Sequence, residues 1–159
     1  MFNPQSSFAE SFFRSAAAAA KGFAVDVVAS RVRDFREIET ALTAMASEPA
    51  PALIAVPDGF LSSHRRQIVE LAARLRLPGI YSTIAFAADG GLMAYAADQN
   101  DSYRRAAGYI DRILRGEKPA DLPVQQPVKF ELVINMKTAK ALGLTVPLTL
   151  QVAADKVIE

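Results

Sequence analysis

The chain has 159 residues, 51% of them hydrophobic, and its 18 Lys+Arg against 17 Asp+Glu leave a formal net charge of +1. That suffices for the core of one α/β domain, and with no run of about five or six like charges nucleic acid is not an expected partner. The absence of cysteine removes disulfides, thiolate metal sites and Cys nucleophiles, while leaving the redox compartment open.

At the N-terminus, Met1-Phe2-Asn3-Pro4 has no basic region and the run Ala16–Ala20 closely follows Arg14, so no secretion signal is expected in the sequence as written. Arg14, Lys21 and Asp26 interrupt the most apolar region, and a soluble chain without membrane insertion is expected. Ser6 or Ser7 is placed to cap a helix running to about Lys21, with Phe8, Phe12, Ala16 and Ala19 on one stripe and Gly22 as its terminator. Ala24–Ala29 is β-branched and short, a predicted strand, and Asp34-Phe35-Arg36-Glu37 has capping-box spacing for a helix to about Ser47.

Ala52–Val56 is a continuous apolar run ending at Pro57-Asp58-Gly59, which predicts a parallel strand covered on both faces. A helix is predicted from about His64 to Leu75 on the spacing of Ile68, Leu71, Ala72 and Leu75, then a short strand Gly79–Tyr81 and an irregular stretch to Gly90-Gly91. Leu92–Tyr95 reads as a strand, and Asp101 as the cap of a helix through Leu114 that stops at Gly116. After the connector Pro119–Pro123 come a strand at Phe130–Ile134, a short helix near Thr138–Leu142 ending at Gly143, and a tail from Pro147. The fold class is therefore α/β: three layers, a mostly parallel sheet with helices on both faces. Ligands in such folds sit beyond the carboxyl ends of the strands, here the loops beginning at Asn3, Ala29, Pro57, Tyr81 and Tyr95.

Phosphate-cradle, dinucleotide and nucleophile-elbow motifs are all missing, and one histidine with no cysteine assembles neither a nucleophile–base pair nor a metal cluster. His64 reads as a helix-start residue beside Ser62-Ser63, and Asn100-Asp101-Ser102 as a cap rather than a glycosylation site. Asp58, Asp89 and Asp98 fall in or just after predicted loops, as ligand partners or as plain capping carboxylates. Tyr81, Phe86 and Tyr95 near the same edge are either a pocket wall or core.

Later segments carry a family resemblance. Pro57-Asp58-Gly59-Phe60, Leu77-Pro78-Gly79-Ile80-Tyr81, Gly90–Tyr95 and Tyr103–Gly116 occur in the order seen in ABC-transporter substrate-binding proteins of the tryptophan- and tyrosine-uptake kind. The tail from Lys118 to Leu144, with Lys118-Pro119-Ala120-Asp121-Leu122-Pro123 and Lys129-Phe130-Glu131-Leu132-Val133-Ile134-Asn135, closely resembles the C-terminal signature of that family.

The resemblance implies a type I periplasmic-binding-protein fold, in which two α/β lobes close over a small solute that is passed to a membrane permease. Family members carry a signal peptide and a complete N-terminal lobe ahead of the segment resembled. Residues 1–159 thus correspond to a single C-terminal lobe, and residues 96–118 to a crossover segment that would pack on the missing N-terminal lobe. Ile110, Ile113 and Leu114 would then lose burial worth roughly 1.5–3 kcal/mol each. The segment is therefore expected to fold onto this domain or to exchange with a second copy in a homodimer.

Carried onto matching positions, the resemblance implies a ligand-binding set of Asn3, Ser6, Asp58, Phe60, Tyr81 and Asp98. Asn3 and Ser6 would hydrogen-bond a polar head, Asp58 would face an amine, Phe60 and Tyr81 would form an apolar wall, and Asp98 lies near the crossover. The expected function is the solute-binding component of an ABC uptake transporter, truncated to one lobe and binding a small solute such as an amino acid. A small-molecule sensor, an assembly domain or a non-transporting remnant of the same fold is the alternative. No catalytic residue, metal or cofactor is expected. The resemblance implies a periplasmic location, and the sequence as written a cytoplasmic one. A lone lobe is expected to bind weakly, because closure normally shields the ligand from both sides.

Overall fold

Short apolar runs alternate with amphipathic helices throughout residues 1–159 of the computed structural model. Strands β1 (Leu53–Ala55), β2 (Gly79–Tyr81), β3 (Met93–Ala97), β4 (Phe130–Asn135) and β5 (Lys156–Ile158) lie side by side in that order. β1, β2 and β3 are parallel, β4 is antiparallel to β3, and β5 is parallel to β4. The reversal at β4 follows from the chain re-entering the sheet at the edge it left, where the Asp98 amide donates to the Lys129 carbonyl at 2.9 Å.

Met1-Phe2 extends the sheet beyond β1. The Met1 amine donates to the Ile54 carbonyl at 2.7 Å, the Val56 amide donates to the Met1 carbonyl, and Phe2 bridges Arg31 in parallel. The strand expected at Ala24–Ala29 does not form, and this segment joins the sheet only where the Phe2 amide donates to the Ser30 carbonyl at 3.0 Å.

Helices α1 (Ala9–Ala20) and α2 (Phe35–Ala46) occupy the expected positions. At α2, Asp34 Oδ1 accepts from the Glu37 amide at 2.8 Å and Glu37 Oε2 accepts from the Arg33 amide at 2.7 Å, so the acidic pair closes the helix start. The helix expected from His64 is preceded by a separate turn, giving α3 (Gly59–Ser63) and α4 (Arg65–Arg74). The stretch read as irregular contains α5 (Ile84–Ala88). Then come α6 (Gln99–Leu114) and α7 (Met136–Leu142), and the tail folds into α8 (Leu148–Ala153) and β5. Gly143 ends α7 at φ 72°, a left-handed conformation that glycine adopts without a Cβ clash.

Helices cover both faces of the sheet, which makes the expected three layers. On one face α2, α4 and α5 bury Ile38, Leu42, Leu53, Ile68, Leu77 and Phe86 in the main core. On the other, α1 covers Phe2 and Val56 through Ala9 and Phe13, while α7 and α8 cover Ile134 through Ala139 and Leu150. The middle of this second face is bare. Ile54 of β1, read as part of a strand covered on both faces, is 47% exposed because no helix spans the interval between α1 and α8.

Candidate functional site

The parallel segments Met1-Phe2, β1, β2 and β3 all end at one edge of the sheet, and the loops Asn3–Ser7, Pro57-Asp58, Ser82-Thr83 and Asp98 gather there. The antiparallel β4 begins at the same edge and brings in Lys129. Asn3 and Ser6 are half-buried, and Asn3 Oδ1 accepts from the Gln5 amide at 2.9 Å, which holds the loop in a tight turn. Asp58 is buried at the start of α3, where Oδ1 accepts from the Leu61 amide at 3.0 Å. Phe60 sits one step inside that helix, its ring 4.5 Å from His64 and packed on the main core. His64 Nδ1 lies 2.9 Å from the Phe60 carbonyl and 3.1 Å from Ser63 Oγ, contacts local to the turn.

Tyr81 is turned away from the edge. Strand alternation points it into the face covered by α4 and α5, where it is 2% exposed and stacks on Phe86 with ring centroids 4.6 Å apart. The ring lies so close over Gly79 and Gly91 that a Cβ at Gly91 would meet it at 2.7 Å. Burial pushes its hydroxyl up to about 12. Tyr81 therefore supplies no wall to a ligand at the edge and belongs to the core that carries the loops.

Asp98, rather than the expected Asp101, caps α6. Its Oδ1 accepts from the amides of Asn100 at 2.9 Å and Asp101 at 3.1 Å, and its Oδ2 from Lys129 Nζ at 2.7 Å. The Lys129 hydrogen bond, followed by the Asp101 amide, holds the carboxyl below its ordinary range, and the same contact raises the Lys129 ammonium. Asp98 is thus engaged in joining the point where the chain leaves the sheet to the point where it returns. Asp89 lies at the other end of α5, where it pairs with Arg65 at 2.8 Å.

Sequence reasoning missed Thr83 and Lys129. Thr83 stands at the start of α5 with no capping bond from its side chain, an N-cap residue type one place beyond Ser82. The pairing of Lys129 carried no local signal, because it depends on the antiparallel return of β4.

α6 does not fold onto the domain. It has no buried residue, nor has any residue from 99 to 128, because α6 starts immediately after its cap and leaves no loop in which to turn back over the sheet.

The family model described as ABC transporter substrate binding protein matches residues 1–158. No curated protein matches the chain. An ABC domain in complex with L-Trp from Streptococcus pneumoniae superimposes with a TM-score of 0.90 at 27% identity, over 99% of this chain and 53% of that one. A conserved domain protein from Vibrio cholerae gives 0.89 at 22% identity, over 98% and 52% of the two chains, and supports the fold alone. The open, ligand-free structure of a substrate-binding protein with adhesive properties from Clostridium difficile gives 0.70 at 17%, over 100% and 52%. The chain spans about half the length of these solved proteins and corresponds to one lobe of a periplasmic-binding-protein-like fold. With the family model matched along nearly its whole length, the chain belongs to the ABC transporter substrate-binding protein family.

Proposed function

We propose that the chain is the C-terminal lobe of a solute-binding protein and takes a small solute of the amino-acid class at the edge formed by Asn3, Ser6, Asp58 and Thr83. The observation that carries this reading is the likeness, at 27% identity over 99% of the chain, to a domain solved with L-Trp. Asn3, Ser6 and Thr83 offer hydrogen bonds, the second oxygen of Asp58 faces an amine, and Phe60 backs the turn that presents it. Asp98 and Tyr81 act indirectly, one by fixing the crossover and the other by packing beneath the loops. Residues 96–118 are the crossover to an N-terminal lobe in a two-lobed protein. Delivery is to an ABC permease, and the compartment is the periplasm.

A thermal-shift panel of amino acids and small carboxylates tests the solute class. A solute that binds only the folded chain adds about 2.7 kcal/mol when present at about 100 times its Kd. A rise in melting temperature with aromatic amino acids is expected, reached only at millimolar concentration because one lobe shields the solute from one side. No shift with any amino acid at that concentration contradicts the proposal.

A further inference from the structure

The loop Asn3–Ser7 runs into α1 without the carboxylate that fastens its neighbours. α2, α3 and α6 start at the same edge, and each begins on a side-chain cap, from Asp34, Asp58 and Asp98. α1 begins at Phe8, whose side chain makes no such bond, so the helix start does not itself fix where the loop ends. Inside the loop the ties are local. The Gln5 amide donates to Asn3 Oδ1 at 2.9 Å, the Ser6 amide to the Asn3 carbonyl at 3.1 Å and the Ala9 amide to the Ser6 carbonyl at 3.2 Å. These bonds shape a turn without setting how it sits on the sheet.

One side chain reaches both ends of the loop from outside it. Arg31, in the segment that bridges Phe2 in parallel, holds its guanidinium carbon 5.5 Å from the centre of the Phe2 ring, immediately before the loop. Its Nε donates to Glu10 Oε1 at 2.8 Å, and Nη2 lies 2.8 Å from the same oxygen, in the first turn of α1 immediately after the loop. Phe2 is itself immobilised. It is 1% exposed, tilts against Phe13 with ring centroids 6.1 Å apart, and accepts from the Val32 amide at 2.9 Å. Arg31 therefore carries a fixed reference point in the sheet across to Glu10. A planar guanidinium can lie on a ring and present N–H groups to a carboxylate at once, which the point charge of a lysine cannot match.

We propose that Arg31 and Glu10 form a strut that sets the Asn3–Ser7 loop in its solute-binding arrangement, with Arg31 a positioning residue that acts on the solute through the loop. The inference rests on the reading of this edge as the solute site. The two side chains are 47% and 48% exposed, and exposed ion pairs contribute little to global stability. The strut acts instead on a local equilibrium, since a loop with few buried contacts opens independently of the core. A solute that needs Asn3 and Ser6 together then meets a preformed loop. Without the strut, its apparent affinity falls by the fraction of copies in which the loop is in place.

Amide hydrogen exchange and L-tryptophan titration, both followed residue by residue by NMR, test the strut in Arg31→Met, Glu10→Met and the double variant of the full chain. Melting temperatures should stay close to that of the wild type. Exchange should rise at the Gln5, Ser6 and Ala9 amides and not at the Leu61 amide, which Asp58 holds. The Kd for L-tryptophan should rise about fivefold to tenfold, as for a loop in place in about one copy in five to ten. The double variant should be no weaker than Arg31→Met alone, because both substitutions cut one strut. Unchanged exchange in the loop overturns the proposal, as does an unchanged Kd, or losses that add in the double variant. A lower melting temperature with exchange rising at Leu61 as well also overturns it, by marking a general defect of the fold. A loop that loosens as expected, in a chain whose wild-type amides L-tryptophan does not move, sinks the solute-binding reading and leaves the strut standing.

Discussion

Replacing Phe86 with alanine is expected to remove about 3–5 kcal/mol of folding stability, the usual range for deleting a fully buried aromatic ring. Phe86 is 1% exposed and stacks at 4.6 Å on Tyr81, which in turn fills the space over Gly79 and Gly91. The surrounding backbone is held in place, since the Gly91 amide donates to the Phe86 carbonyl at 2.7 Å and Asn135 Nδ2 donates to the Ala87 carbonyl at 3.1 Å. The cavity therefore cannot collapse, and loss at the upper end of the range approaches the whole stability of a domain, about 5–15 kcal/mol. Urea unfolding followed by circular dichroism measures the change. Phe86→Leu should recover most of the loss, and a cost below about 1 kcal/mol for the alanine variant would mean that Tyr81 is free to swing into the space.

Stability should also fall as the pH drops through neutrality, in a chain whose Met1 amine is free. That amine is buried in the sheet against the Ile54 carbonyl, and desolvation pushes it down to about 6 from 8.0. Above pH 8 it is neutral whether the chain is folded or not, and the full stability is present. Between pH 8 and about 6 the unfolded chain takes up a proton that the folded chain refuses. Each unit of pKa difference is worth about 1.4 kcal/mol, so the loss across this interval is about 3 kcal/mol, with a plateau below it. Asp98 acts at lower pH and in the usual direction for a carboxylate: its depressed pKa supports the fold above the ordinary carboxylate range, and that support is lost as the pH falls through it. Denaturant titrations at pH about 8.5, about 7 and about 5.5 check the first effect. Equal or greater stability at the lowest of these would contradict it.

Elements with a strong local signal were legible in the sequence. The Asp34 cap with Glu37 three residues on, the Ile68–Leu75 spacing and the terminator at Gly143 are properties of a few neighbouring residues, and the fold keeps them. What was not legible depends on partners distant in sequence. Ala24–Ala29 has strand composition but pairs with no strand, and the apolar run at β1 does not reveal that Ile54 meets no helix. The antiparallel return of β4 is likewise invisible locally, yet it places Lys129 on Asp98 and turns a supposed ligand carboxylate into the pin of the crossover.

The same division runs through the site. Asp58 stands at a strand end that follows from the βα alternation, so its place at the edge could be read from spacing, whereas Asn3 and Ser6 were singled out by the family resemblance. Tyr81 stands at a strand end as well, but side-chain direction depends on which face of β2 is covered, and here that face is the one under α4 and α5. The exposed stripe of α6 was expected to find cover on its own domain or in a second copy, and the absence of any loop after Asp98 prevents the first.

Amide chemical-shift mapping with L-tryptophan tests most directly the claim that this lobe carries half of a solute site at the carboxyl edge of its sheet. The predicted result at millimolar ligand is a saturable set of shifts at Asn3, Ser6, Gly59 and Thr83, with the far ends of α4 and α5 unmoved. Shifts that are absent, or that fall on the α2–α4 surface and leave the edge untouched, would contradict it.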